Sequence, residues 1–487
     1  MRSSVWSKGI TKDKFSIFSL FPVLGTMIAL LLGGALGIFG PYARMVVIGA
    51  IMLAVIIVLC LDELAATVVI AVHLYIDWYL GLRVVALLMV LALLVIFWAR
   101  SPRHLWAEPR ALWLWALLLM LAIFPAIRGA LSLYDALFYY PNVFFGAFIT
   151  YWLGIVIGRN TASVHRLFSM LAGFAALLAI HTIIEAATGT ILFASSSLAT
   201  HYGDALFYQY QLGESSVYRL GSFFIDPNWN GSFFAMMLFL PLGLFTESSS
   251  VPEKVLYLVE TLLILLALLF TYSAGAWIAS IAGLIAFTLF VGRTRYRIQI
   301  PLFMVVVGIM IAVLFASQVN YLLRHASDPN ELLLRNAGWE TAVRVILAFP
   351  LTGVGLGILG YAQRVGPYRA PAQYAPLSHP HNSYLELGAM AGFPVLLTFV
   401  ALILFALWLA LRNWALADVR ARSLLAGGIA AVIVLSINSI SINAWTLPPL
   451  AATGWLILGA ISSPLLAKSR KSEMEQENSN NTPSHSS

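Results

Sequence analysis

One apolar run after another, each about as long as a bilayer is thick, constrains this chain more than any single motif. Stretches such as 17–39, 111–127, 166–188, 254–271 and 383–411 are nearly free of charge and are separated by short polar or basic breaks. A helix needs roughly 20 apolar residues to cross the hydrocarbon core. Residues that are 61% hydrophobic and only 10% charged exceed what a soluble core absorbs, because soluble domains run near 25% charged. An all-soluble protein is excluded. In lipid the backbone must satisfy its own polar groups, which leaves helices or closed barrels, and runs of this length predict helices. The expected fold is therefore all-α and polytopic, with about fourteen spans (12–14). The expected organisation is a membrane domain over 1–466, with a long extracytoplasmic loop at 318–382 that contains short helices. The Ser/Asn/Glu-rich segment 467–487 is expected to be a disordered cytoplasmic tail.

The net charge of +7 reports topology rather than a nucleic-acid partner. Basic residues concentrate in cytoplasmic loops. Placing the N-terminus inside puts every lysine inside, together with Arg100, Arg103, Arg159, Arg166, Arg293, Arg295, Arg297, Arg412, Arg420 and Arg422. The first apolar run follows Lys8, Lys12 and Lys14 and is too long for a typical leader, so an uncleaved first span is expected. With one cysteine, Cys60, neither an internal disulfide nor a thiolate metal site is available. This orientation faces both long loops, about 189–222 and 318–382, outward.

The second outer loop is rich in structural signals. Glu331 to Phe349 predicts a helix stopped by Pro350. On that helix Ile346, Trp339 and Ala342 fall within about 40° of Arg335 at 100° per residue, so this arginine sits on the apolar face. Its partner is either Glu331 one turn earlier or an anionic ligand, since the guanidinium fork suits phosphate. Gly353-Val-Gly355-Leu-Gly357-Ile-Leu-Gly360 contains a formal G-x-G-x-x-G, but it follows a helix and a proline rather than a strand. That excludes a dinucleotide site and leaves a tight chain reversal. The loop closes on His379-Pro380-His381-Asn382, where His381 either stacks at the interface or acts as a general base; His379 is expected to be structural. The first outer loop ends on Arg219 and then Asp226-Pro227-Asn228. Arg219 there meets either lipid headgroups or a bound anion, which a new helix N-terminus would also attract. Inside the spans, His73 with Asp77 and His181 with Glu185 are spaced to satisfy each other or to pass protons. Acidic residues outside are too sparse to supply a metal.

Three ordered pieces carry a family resemblance: Arg219…Gly221-Ser-Phe…Pro227-Asn228; Arg335-Asn-Ala-Gly-Trp339 with Pro350…Gly353-Val-Gly355-Leu-Gly357; and His379-Pro-His381-Asn382-Ser-Tyr-Leu385. Over roughly 215–400 the chain resembles the O-antigen ligase/polymerase family. The resemblance implies a GT-C-like membrane glycosyltransferase that takes a glycan from a polyprenyl diphosphate at the outer face of the inner membrane and passes it to lipid A core, another repeat unit or another surface acceptor. It implies no cofactor and no metal. His381 corresponds to the catalytic histidine, and Arg219, helped by Arg335, to the diphosphate ligand. Asn228, Asn382 and Glu386 take supporting places. Where the family often has Ser-Arg this chain has Ser273-Ala274, and Met390 replaces a frequent acidic residue, with Glu386 one turn earlier. The competing class is a transporter or flippase, whose polar determinants would lie near the bilayer midplane. A non-catalytic scaffold for glycan assembly is a third, weaker class.

Overall fold

The computed structural model describes residues 62–74, 89–90, 93–94, 109–129, 140–189, 207–212, 215–327, 329–370 and 379–466. The expected spans 17–39 and 44–60, the end of 64–80 with Asp77, most of 83–99 and the tail 467–487 lie outside the described residues.

Among those residues the chain is mostly helical. In order come α1 (Asp62–Val72), α2 (Pro109–Gly129), α3 (Gly146–Ile157, entered through a π-turn at Pro141–Phe145) and α4 (Thr161–Thr188). A β-hairpin, β1 (Phe207–Leu212) with β2 (Ser215–Leu220), follows. Then come α5 (Pro227–Met237), α6 (Phe239–Glu247), α7 (Val251–Thr271), α8 (Ala274–Phe290) and α9 (Tyr296–Leu314). The long connection after α9 holds α10 (Ala316–Ala326), α11 (Pro329–Ala348) and α12 (Ile358–Arg364). The chain finishes with α13 (Ser383–Ala391), α14 (Phe393–Ala415), α15 (Val419–Asn438) and α16 (Pro448–Ser462). Eight helices among the described residues are long and apolar enough to cross a membrane, with 141–157 and 274–290 as shorter apolar helices. The protein is therefore a multi-pass membrane protein.

One feature is added to the helical expectation and one expected span is corrected. The antiparallel hairpin, paired from Phe207 with Leu220 to Leu212 with Ser215, is the one sheet among the described residues of a chain read as all-helical. The run 383–411 is not one span: Gly392, at φ 87°, separates α13 from α14. Only the second of these is long enough to cross. The apolar run 254–271 ends where α7 ends, with Tyr272 left-handed at φ 49°.

Burial within the bundle is uneven in the way lipid as solvent requires. α5–α6, α15 and α16 are central, and a cluster of Trp115, Trp445, Trp455 and Phe399 fills the middle, with ring centroids 4.8 Å apart for Trp115–Trp455 and Trp445–Trp455. α9 presents Ile298, Leu302, Val305, Ile309 and Val313 outward; in water such a face would be a liability, but toward acyl chains it costs nothing. At one end of the bundle the basic breaks gather: His165 meets Glu247 at 3.0 Å, Arg166 meets Glu63 at 2.7 Å, and Lys254 and Arg295 both reach the Tyr296 hydroxyl.

The glycine-rich segment is a reversal, as its composition suggested. Gly353, Gly355 and Gly357 all have positive φ. The backbone here donates from Val354 and Gly355 to the carbonyls of Ala389 and Met390, and from Leu356 to that of Pro125. A Cβ at Gly129 would stand 1.9 Å from the Leu356 carbonyl oxygen. Gly129→Ala is thus expected to lower stability by about 1–3 kcal/mol through overpacking, measured as a fall in the unfolding midpoint of the detergent-solubilised protein.

Candidate active site

α11 carries Arg335 inward for the reason the helical wheel gave. Ala342, Val345 and Ile346 on the same side are buried. Leu332 and Val343, further round the wheel, are exposed, so the buried face is centred on Arg335 and Ala342 rather than on the whole apolar arc. The guanidinium donates to the Ser441 carbonyl at 3.4 Å. The Glu331 side chain, its alternative partner, lies outside the described residues.

His381 stands two residues before α13 in a left-handed conformation, φ 50°, uncommon for a residue with a side chain. Asn382 explains how the helix starts directly after it: its Oδ1 accepts from the amides of Tyr384 and Leu385, which makes it the cap. The Ser383 amide is fixed by the carbonyls of Ser439 and Ile442. His379 stacks on His381 with centroids 4.0 Å apart. Its Nδ1 lies 3.3 Å from the His381 amide and 3.4 Å from Glu386 Oε2; a neutral Nδ1 accepts the amide hydrogen, and a protonated one faces the carboxylate. Glu386 is itself buried and accepts from the Thr446 hydroxyl at 2.9 Å. Burial, then His379, then the Arg335 charge push the His381 imidazole down to about 3. It is neutral at every physiological pH.

Arg219 ends β2 and is almost wholly buried. It donates to Asn228 Oδ1 at 2.8 Å and to the Thr271 carbonyl at 3.3 Å. One expectation changes here. The new helix α5 does not offer free amides to an anion, because the Asp226 carboxylate accepts from Asn228 N and Trp229 N. Any anion held here depends on the arginine.

The segment joining α15 to α16, residues 439–447, is what the sequence reading missed. Ser441 receives Arg335, Asn443 Oδ1 receives the Trp229 indole at 2.9 Å, and Thr446 holds Glu386. A Cβ at Gly275 would stand 2.4 Å from Ser441 Oγ, so the Ser273-Ala274 position borders the same segment. One polar strip thus collects the Arg219–Asn228 end, Arg335 and the His381 helix. The available signal was the run Ser436-Ile-Asn438-Ser-Ile-Ser441-Ile-Asn443, which is polar where a span should end cleanly. Among the described residues no group of three His, Cys, Asp or Glu side chains is placed to hold a metal.

Fold and site together define a polytopic helical membrane protein with arginines and a neutral histidine gathered at the end of the bundle away from its basic breaks. Residues 261–400 match the family model described as O-antigen ligase, and this match supports the O-antigen ligase/polymerase resemblance over that part of the chain. The matched region holds Arg335, His381, Asn382 and Glu386, while Arg219 and Asn228 precede it. No curated protein matches the chain.

Proposed function

We propose that this protein moves a polyprenyl-diphosphate-linked glycan onto an acceptor hydroxyl, on lipid A core or another surface acceptor, at the outer face of the cytoplasmic membrane. Its N-terminus and tail would then be cytoplasmic. The observation that carries the reading is the pairing of Arg335 with a histidine held neutral beside it. A permanent cation and a proton acceptor are what displacement of a diphosphate by an alcohol needs.

The acceptor oxygen attacks the anomeric carbon, and the bond from that carbon to the diphosphate oxygen breaks with inversion. The electron pair leaves on the diphosphate, where Arg219 and Arg335 offset the developing charge. The hydroxyl proton passes to the His381 imidazole. Arrival of an anionic donor works against the nearby arginine charge and raises the basicity of His381. Asn228, Asn382 and Glu386 act by holding Arg219, the α13 start and the 439–447 strip respectively. No cofactor is needed, because the donor linkage is already activated.

Purified protein given a polyprenyl-diphosphate glycan and an acceptor should release polyprenyl diphosphate in step with glycan transfer. Flipping of the donor across vesicles without transfer would instead favour a transporter. A polymerase of the same family differs in the acceptor alone, so transfer onto a second donor-linked repeat rather than onto lipid A core identifies it.

The lowered histidine gives a further test. The pH dependence of kcat/KM reports the free enzyme. His381 is depressed from 6.5 to about 3, so kcat/KM is expected to stay flat from about pH 8 down to about pH 5. An acid limb centred near 6.5 that persists in a His379→Gln control would overturn the neutral-base assignment.

A further inference from the structure

Close behind Arg219 lies a buried polar chain that the transfer chemistry does not use. His181 and Glu185 stand one turn apart near the outer end of α4, and Ser222 lies in the turn between β2 and α5. Ser222 Oγ is 3.0 Å from His181 Nδ1, and His181 Nε2 is 3.6 Å from Glu185 Oε1. All three are almost fully buried, at 5%, 5% and 2% exposure for His181, Ser222 and Glu185. The Phe223 ring lies on the imidazole with centroids 4.4 Å apart.

The turn they meet is unusual in its backbone. Ser222 has φ 47° and Ile225 φ 70°, left-handed values that a side-chain-bearing residue adopts when its surroundings hold it there. The turn is also crowded: a Cβ at Gly221 would stand 2.0 Å from the Ile225 carbonyl oxygen. This turn joins the strand that ends in Arg219-Leu220 to the helix that begins at Pro227-Asn228. The Arg219–Asn228 hydrogen bond spans it at 2.8 Å, and Asn230 closes it from the other side by donating to the Leu220 carbonyl.

We propose that His181 is a positioning residue: through Ser222 and Phe223 it locks the strained 221–226 turn and so fixes where the Arg219 guanidinium stands. The inference rests on the reading that Arg219 holds the donor diphosphate. A serine, a histidine and a glutamate in series suggest a nucleophile, but their burial leaves no room for a substrate. Their contact with the turn gives them a mechanical task instead. The same contact accounts for a His–Glu pair that, in sequence, was equally compatible with a proton relay.

The test is binding of polyprenyl diphosphate, in detergent, to the purified full chain. Asn places a hydrogen-bonding atom where Nδ1 stands, so His181→Asn keeps the bond to Ser222. His181→Phe keeps a ring against Phe223 and removes the bond. His181→Phe and Ser222→Ala are expected to weaken binding about tenfold, with His181→Asn restored to within about threefold. Added to Arg219→Ala, His181→Phe should cause no further loss, since residues acting as one unit are not additive. Ser222→Gly adopts φ 47° without strain, and it removes the same bond should His181→Phe not fold. Wild-type binding in His181→Phe and Ser222→Gly, or an equal further loss in the Arg219→Ala background, overturns the inference. Wild-type binding in Arg219→Ala itself sinks the underlying assignment of the diphosphate site and the inference with it.

Discussion

Replacing His381 by alanine is expected to reduce glycan transfer by roughly 10²–10⁴-fold, the span that general-base catalysis supplies, with membrane abundance unchanged. The side chain makes no hydrogen bond that supports the helix after it; Asn382 caps α13 and Ser383 anchors it to the carbonyls of Ser439 and Ile442. Loss of the ring should therefore affect chemistry and leave folding intact. The measurement is initial rate of transfer from a polyprenyl-diphosphate glycan, normalised to folded protein. Full activity in His381→Ala would remove the histidine from the mechanism. Loss of both activity and folded protein in His379→Ala, by contrast, would mark that neighbour as structural.

Arg219 should be at least as sensitive. Removing one donor aimed at developing charge typically costs about 10²–10³-fold in kcat, and here it also leaves buried acceptors unsatisfied. Arg219→Ala strips partners from Asn228 Oδ1 and the Thr271 carbonyl, a stability cost of about 1–3 kcal/mol. Arg219→Lys separates the two effects: it keeps the charge but loses the two-pronged donor geometry. The expected order of transfer rate is wild type, then Lys, then Ala, and unfolding midpoints measured alongside show how much of each loss is stability. Equal rates in wild type and Arg219→Ala would show that the diphosphate is bound elsewhere.

How much of this was visible in the residues follows from which forces act locally. Spans and their breaks were legible because hydropathy and turn chemistry act over a few residues: Thr271-Tyr272-Ser273 interrupts, Pro350 stops, and Arg335 can be placed on a helical face from periodicity alone. Leu332 and Val343 lie further round the same apolar arc yet are exposed, because in a membrane protein an apolar side chain has more than one apolar environment to choose from. The hairpin carrying Arg219 was missed although Tyr208-Gln209-Tyr210-Gln211-Leu212 alternates, because its second strand, Ser215–Leu220, does not and the all-helical expectation from the apolar runs was applied to the whole chain. The role of 439–447 was hidden for a different reason. Its value lies in contacts with residues more than 50 positions away, such as Glu386, Arg335 and Trp229, and no local pattern encodes those. The N-terminal amides of α5 looked available until Asp226 was seen to occupy them.

The nine-residue helix α13 is clamped at both ends, by the carbonyls of Ser439 and Ile442 at its start and by the amides of Val354 and Gly355 near its finish. Its length can therefore neither grow nor shrink without dragging His381 along. A longer loop would have to be accommodated elsewhere, and Gly366, with open space about it, is the kind of place where residues can be inserted. Residues inserted at Gly366 should therefore leave the distance from Gly353 to His381's helix fixed, like the span of a bridge.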